Sequence, residues 1–168
     1  MTAAHRWLAG LVVLLLLLAV LGAALAVRTH SDRADAQSRQ ERYGDVLAAA
    51  DAEATAFVNL RYDRADEGIR AVASGATGDF RTQYESSSRR LATALAEQRS
   101  VLSGRVVSSG VTAVAPDRAT VIVATSGTVS NRRTGGREVP RHYRLRLTLR
   151  HVHGRWLTSD ISFVGDAR

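Results

Sequence analysis

Hydrophobic and polar positions fall into three regimes along this chain. From Trp7 to Val27 there is no polar side chain, and the run of 21 residues is broken only by Gly10 and Gly22. As a helix it would be about 31 Å long, which matches the hydrocarbon thickness of a bilayer. A helix also satisfies its backbone polar groups internally, as lipid demands. Trp7 sits where indoles favour the membrane interface. In the second regime the apolar period is helical. Tyr43, Leu47, Ala50, Ala54 and Phe57 step by four and three, which predicts an amphipathic helix with Asp45, Asp51 and Glu53 off its apolar face. Asp63, followed by Asp66 and Glu67, predicts the N-cap and acidic first turn of a short helix ending at Gly75. Thr77 or Asp79 then caps a third helix, whose face is Phe80, Tyr84, Leu91 and Leu95 and whose end is expected near Ser103-Gly104.

After Gly104 the period becomes two. Strands are expected over Arg105 to Val114 and Arg118 to Val129, joined by the turn Ala115-Pro116-Asp117-Arg118. A longer loop carries Asn131 to Gly136, with Gly135-Gly136 as a hairpin tip. In the third strand Tyr143, Leu145, Leu147 and Leu149 alternate with His142, Arg144, Arg146, Thr148 and Arg150, so one face is apolar and the other cationic. His153-Gly154 turns into a fourth strand, Trp156 to Val164. Helices followed by a meander of strands predict an α+β domain, with about three helices packed on a bent antiparallel four-stranded sheet.

These regimes divide the chain into a short cytoplasmic N-terminus (1–6), a transmembrane helix (7–27), a charged tether or helix extension (28–42) and an extracytoplasmic α+β domain (43–168). Ala24-Leu25-Ala26 also has the form of a signal-peptidase site. The apolar run is longer than a signal core, however, and Arg28 follows it like a stop, so a retained anchor is the expectation. A translocated domain behind a short N-terminal flank is the simpler topology, although charge alone does not decide it: Arg6 competes with Arg28, Arg33, Arg39 and Arg42.

Charge sharpens the picture. The net charge of +7 comes from 23 cations, all of them arginine, against 16 acids. Residues 28–100 hold 11 arginines and 12 acids, whereas residues 101–168 hold 11 arginines and 4 acids. The excess therefore lies in the strand region. Exclusive use of arginine reads as base composition of the genome rather than as selection for phosphate contacts, and nucleic acid is not the expected partner. Arg144, Arg146 and Arg150, on one strand face, are the candidate contact for anionic headgroups or for an acidic partner protein, because the guanidinium fork binds carboxylate or phosphate in bidentate fashion.

Catalytic chemistry finds little purchase. With no cysteine there is no disulfide, thiolate nucleophile or thiolate-bound metal. His151 and His153 form an H-x-H pair near His142, but no carboxylate stands close in sequence to complete a metal site. Ser108-Ser109-Gly110 is not a nucleophile elbow, and Gly135-Gly136 lacks the lysine and spacing of a phosphate loop. Asp63, Asp79 and Asp160 are the acid–base candidates, with Tyr43 and Tyr84 as possible donors, yet Asp63 and Asp79 are already explained as helix caps. No catalytic, cofactor-binding or metal-ligating residue is assigned.

The stretch ATAFVNLRYDRADEGIRAVASGATGDFRTQY, Ala54 to Tyr84, resembles the Mce-associated membrane proteins of actinobacteria. Ala119-Thr120-Val121-Ile122-Val123, Arg144 to Leu149, and Gly154-Arg155-Trp156 continue the likeness over nearly the whole chain. Arg64 departs from it, since related sequences often have Pro after the Asp that Asp63 matches. The resemblance implies a cone-like fold of the nuclear transport factor 2 type, shared with a periplasmic subunit of type IV secretion systems. It implies an accessory role in which the protein stabilises or assembles Mce complexes that move lipids across the envelope, with Mce subunits or related membrane proteins and membrane lipid as partners. It brings no catalytic residues. Two alternatives remain: a membrane-anchored cone-fold enzyme of isomerase or hydratase type using Asp160 or Asp79, and a secreted lipid-binding carrier.

Overall fold

The computed structural model describes residues 40–165. The apolar segment 7–27, the flank before it and most of the charged stretch after it lie outside the described residues. The chain divides after Arg42 into two units, and the architecture below is that of the second. Helix α1 runs through residues 43–58 of this unit. A 3-10 turn, Tyr62–Arg64, leads into α2 (Ala65–Gly75) and α3 (Gly78–Gln98). Four strands follow: β1 (Val101–Val114), β2 (Arg118–Ser130), β3 (Val139–Val152) and β4 (Arg155–Phe163). They form one antiparallel meander in the order β1-β2-β3-β4. Three helices on a four-stranded antiparallel sheet are the α+β arrangement the periodicities predict.

The alternation in β2 and β3 decides where the core lies. Ala119, Val121 and Val123 of β2 stand opposite Leu149, Leu147 and Leu145 of β3, and all six are buried. Val46, Ala50, Ala54 and Val58 of α1 close over them. The small alanines let the helix approach the sheet closely, while the leucines fill the space between. Register shifts at Val106/Ser108 and Val111/Ala113 in β1, and at Ser159 in β4 opposite Thr148/Leu149, are bulges, which bend the strands that carry them.

The edge strand is clipped to the helices. The Asn59 amide, just beyond α1, donates to the Gly104 carbonyl at 2.8 Å and accepts from the Gly104 N–H at 3.0 Å. Gly104 lies opposite Gly127 in β2. A methyl on Gly127 would strike the Ser103 carbonyl and the Gly104 Cα, so the strand crossing requires glycine there. The connection between α2 and α3 is tied to β4, because Thr77 N–H donates to the Thr158 carbonyl at 2.8 Å.

Four local expectations are corrected. The first helix keeps Ala50 and Ala54 in the core with Leu47 and Phe57 packed against it, but Val46 is also fully buried, Tyr43 is 40% exposed, and Glu53, placed by its charge on the outer face, is only 3% exposed. Asp63 is not a cap. It pairs with Arg61 at 2.9 Å in the 3-10 turn, and Arg64 precedes α2 without a side-chain cap. Thr77 occupies the N-cap position of α3 but makes no side-chain cap bond. Finally, α3 stops at Gln98, before Ser103-Gly104. Arg99 adopts φ 50°, its N–H donates to Ala96, and Ser100 N–H reaches back to Leu95 at 2.9 Å. This is a Schellman ending with arginine where glycine is usual. Gly104 serves the strand crossing and not the helix end.

Candidate functional site

The two faces of the sheet carry different chemistry. On the face away from the helices the register sets Arg150 opposite Arg118, Arg146 opposite Ile122, and Arg144 opposite Ala124. Arg105 of β1 joins the same face through its pairing with Ser126, itself opposite His142. Leu157, Asp160 and Ser162 of β4 complete it. Strand register therefore adds Arg105 and Arg118 to the three arginines read from the sequence, with Asp160 as a single acid on that side. The guanidinium-bearing residues are all exposed. Ion pairs among the described residues are Arg61–Asp63 and Arg81–Glu85, and neither involves this face. Two arginines directly opposed across a ladder repel each other. An anionic partner would relieve that cost.

Beneath α3, on the helix-covered side, lies a cavity of about 590 Å³. Phe57 and Val58 come from α1, Leu91 and Ala94 from α3, and Leu102, Tyr143 and Phe163 from the strands. Tyr84 and Leu91 of the apolar period of α3 thus face the cavity, while Leu95, the one buried residue of that helix, joins a cluster with Leu60, Ala65 and Ile69. Phe163 is 55% exposed and packs its ring edge on Tyr143 at 5.6 Å and on Phe57 at 6.3 Å. Tyr84, Ser87 and Arg90 add polar groups from α3.

Glu53 and Tyr84 were not brought together by the sequence reading. The Glu53 carboxyl fills space vacated by Gly75, where a Cβ would collide with Glu53 Oε2. Its Oε1 and the Tyr84 hydroxyl are both buried without a hydrogen-bond partner among the described residues. Burial pushes the Glu53 carboxyl up to about 8. Burial, and then the nearby Glu53 charge, pushes the Tyr84 phenol up to about 12. Spacing did contain the signal: Glu53 follows Ala50 by three and precedes Phe57 by four, and residue type overrode it. Tyr84 lines the apolar cavity, whereas Glu53 reaches a separate hollow of about 460 Å³ beside Gly75 and Trp156.

The other candidates stay apart. Asp79 and Asp160 are exposed, and neither lines the apolar cavity. Tyr43 is on the surface. His151 packs against Trp156 at 5.0 Å at the β3–β4 turn, with His153 in the turn itself at φ 49° and His142 at the far end of β3. Among the described residues no three His, Asp or Glu side chains cluster to hold a metal. Nor is any described helix long and apolar enough to cross a membrane.

A family model described as uncharacterized protein Rv1363c/MT1408-like matches residues 6–165. The chain belongs to that family. A relative, the uncharacterized protein Rv1363c of Mycobacterium tuberculosis, is 26% identical over 130 residues, covering 77% of this chain. The chain spans about half of that relative's length, 49%. Among solved structures, a ketosteroid isomerase-like protein from Erwinia carotovora is 27% identical with a TM-score of 0.54, over 74% of this chain and 98% of its own. An IcmL-like type IV secretion system protein from Legionella pneumophila is 10% identical with a TM-score of 0.57, over 72% and 91%. The periplasmic domain of DotI is 13% identical with a TM-score of 0.57, over 70% and 91%. These likenesses place the domain in the cone-like α+β fold of nuclear transport factor 2 and ketosteroid isomerase.

Proposed function

We propose that this family member is a non-catalytic, single-pass membrane accessory protein whose extracytoplasmic domain stabilises or assembles an Mce-type lipid-transport complex. The observation that carries the proposal is the arginine face, where Arg144, Arg146 and Arg150 stand with Arg105 and Arg118 and no described carboxylate pairs with them. Such a face is costly to keep unless an anionic surface meets it. Support also comes from the likeness of residues 54–84 to Mce-associated proteins. The same fold occurs in a type IV secretion system protein and in a periplasmic domain. The apolar run 7–27 supplies the anchor.

In this reading the domain acts through contact. Guanidinium forks bind carboxylates or phosphates on the partner, while the rigid β2–β3 ladder keeps them in register. The test is biochemical: the protein stays with membranes through an alkaline carbonate wash and co-purifies with Mce subunits. Release into the soluble fraction would refute the anchor, and co-purification lost on Arg144→Glu/Arg146→Glu would locate the contact.

One observation favours an enzyme as the second reading: a buried acid, Glu53, lies near the phenol Tyr84, which lines an apolar cavity. Asp79 and Asp160 do not serve it, being exposed. Turnover of a ketosteroid or an unsaturated acyl substrate, abolished by Glu53→Gln, would establish that reading over the first.

A further inference from the structure

We propose that the cavity beneath α3 binds a single-chain or compact carboxylic acid of about twenty heavy atoms, with its carboxylate on α3 and its apolar body among Phe57, Leu91, Leu102 and Phe163. Size sets the class. At about 30 Å³ for each water-sized group, 590 Å³ accommodates roughly twenty methylene-sized units, within the range of natural ligand pockets. Two acyl chains on one glycerol would exceed it. Packing sets the body: the walls are aliphatic and aromatic, so water gains few hydrogen bonds there and an apolar occupant is favoured.

The head follows from two neighbouring donors on one helix, Ser87 and Arg90. Tyr84, Ser87 and Arg90 line the cavity at three-residue spacing, the interval at which side chains are neighbours on a helix. Arg90 Nη2 already reaches Ser87 Oγ at 3.3 Å and forms no ion pair with a described carboxylate. The Tyr84 ring lines the cavity, while its hydroxyl is buried away from it near Glu53 and is not part of the head site. The Arg90 guanidinium, a fixed positive charge, with the Ser87 hydroxyl beside it suits a carboxylate. The site is on the opposite side of the sheet from the arginine face, so failure of partner docking and failure of ligand binding are separable results.

The experiment uses the full chain in phosphatidylcholine vesicles, with a long-chain fatty acid carrying a diazirine near its methyl end as the probe. Photolysis is expected to label peptides containing Phe57, Leu91 or Phe163 saturably, with competition by unlabelled fatty acid. Ala94→Trp and Ser87→Trp fill the cavity from exposed and half-buried positions, and each should reduce that labelling roughly tenfold, a change of about 1.4 kcal/mol, while circular dichroism confirms the fold. Arg90→Gln should remove the preference for the acid over the alcohol of equal length. Saturable labelling that survives both tryptophan variants, or label confined to the apolar segment 7–27, would overturn the proposal. So would equal competition by acid and alcohol in the unaltered protein.

Discussion

The two apolar clusters of this domain are made from similar side chains and packed to different standards. Between α1 and the β2–β3 ladder, Leu145, Leu147, Leu149, Val121 and Val123 are fully buried beneath Val46 and Ala50. Under α3, Leu60, Ala65, Ile69 and Leu95 are buried, but Tyr84, Leu91 and Leu102 remain partly open to the cavity. The first region can supply the cooperativity of folding. The second keeps apolar surface in reserve, which costs stability and makes sense where something else is to be bound. The difference comes from helix chemistry. The α1 stripe is rich in alanine and valine and lies close on the sheet, whereas the larger side chains of α3 line a space they do not fill.

Truncating one leucine in each cluster separates the two most strongly. Leu147→Ala is expected to cost about 2–5 kcal/mol, through lost burial and an unfilled cavity. Leu91→Ala, at a wall that is already open, should cost less than about 1 kcal/mol. Denaturant unfolding measures both, and equal costs would mean that α3 covers a true core.

Glu53 offers a pH-dependent test of the packed side. Its folded carboxyl titrates near 8 and its unfolded one near 4.5, so between these values the folded state holds a proton that the unfolded state has lost. Stability therefore falls as pH rises through that window and levels off above it. Glu53→Gln keeps the shape without the charge. It should be more stable than the unaltered protein at pH 8 by roughly 1–3 kcal/mol, with the advantage gone near pH 5. A constant difference between pH 5 and 8 would show that Glu53 ionises freely in the fold. The smallest effect expected is at the end of α3: Arg99→Gly relieves a left-handed conformation at the helix end and should stabilise the domain by about 0.5–1 kcal/mol, read as a rise in Tm.

Much of this fold was legible because the strands are strictly patterned. The leucines of β3 alternate with arginines except at Thr148, so both the core face and the cationic face could be read directly. Turn chemistry was equally plain at Ala115–Arg118 and at His153-Gly154, whose residues take positive φ. Helix ends were less so. Asp63 has the type and place of a cap but is held by Arg61, and the end of α3 is built from backbone geometry at an arginine, which leaves no mark in composition. Arg105 and Arg118 were invisible as members of the face because register, not sequence distance, brings them beside the β3 arginines. Glu53 was missed because its charge outweighed its spacing, and the room it needs is supplied by Gly75, 22 positions later.

The arginine face is proposed to dock an Mce-type partner. A photo-crosslinking residue placed at Arg146 in the full chain, in native membranes, tests it directly, with the same residue at the exposed Glu67 of α2 as the reference. Adducts to Mce subunits are expected from position 146, lost when Arg118, Arg144 and Arg150 are changed to glutamate, and none from position 67. Equal adducts from both positions, or adducts from 146 that persist after charge reversal, would contradict it.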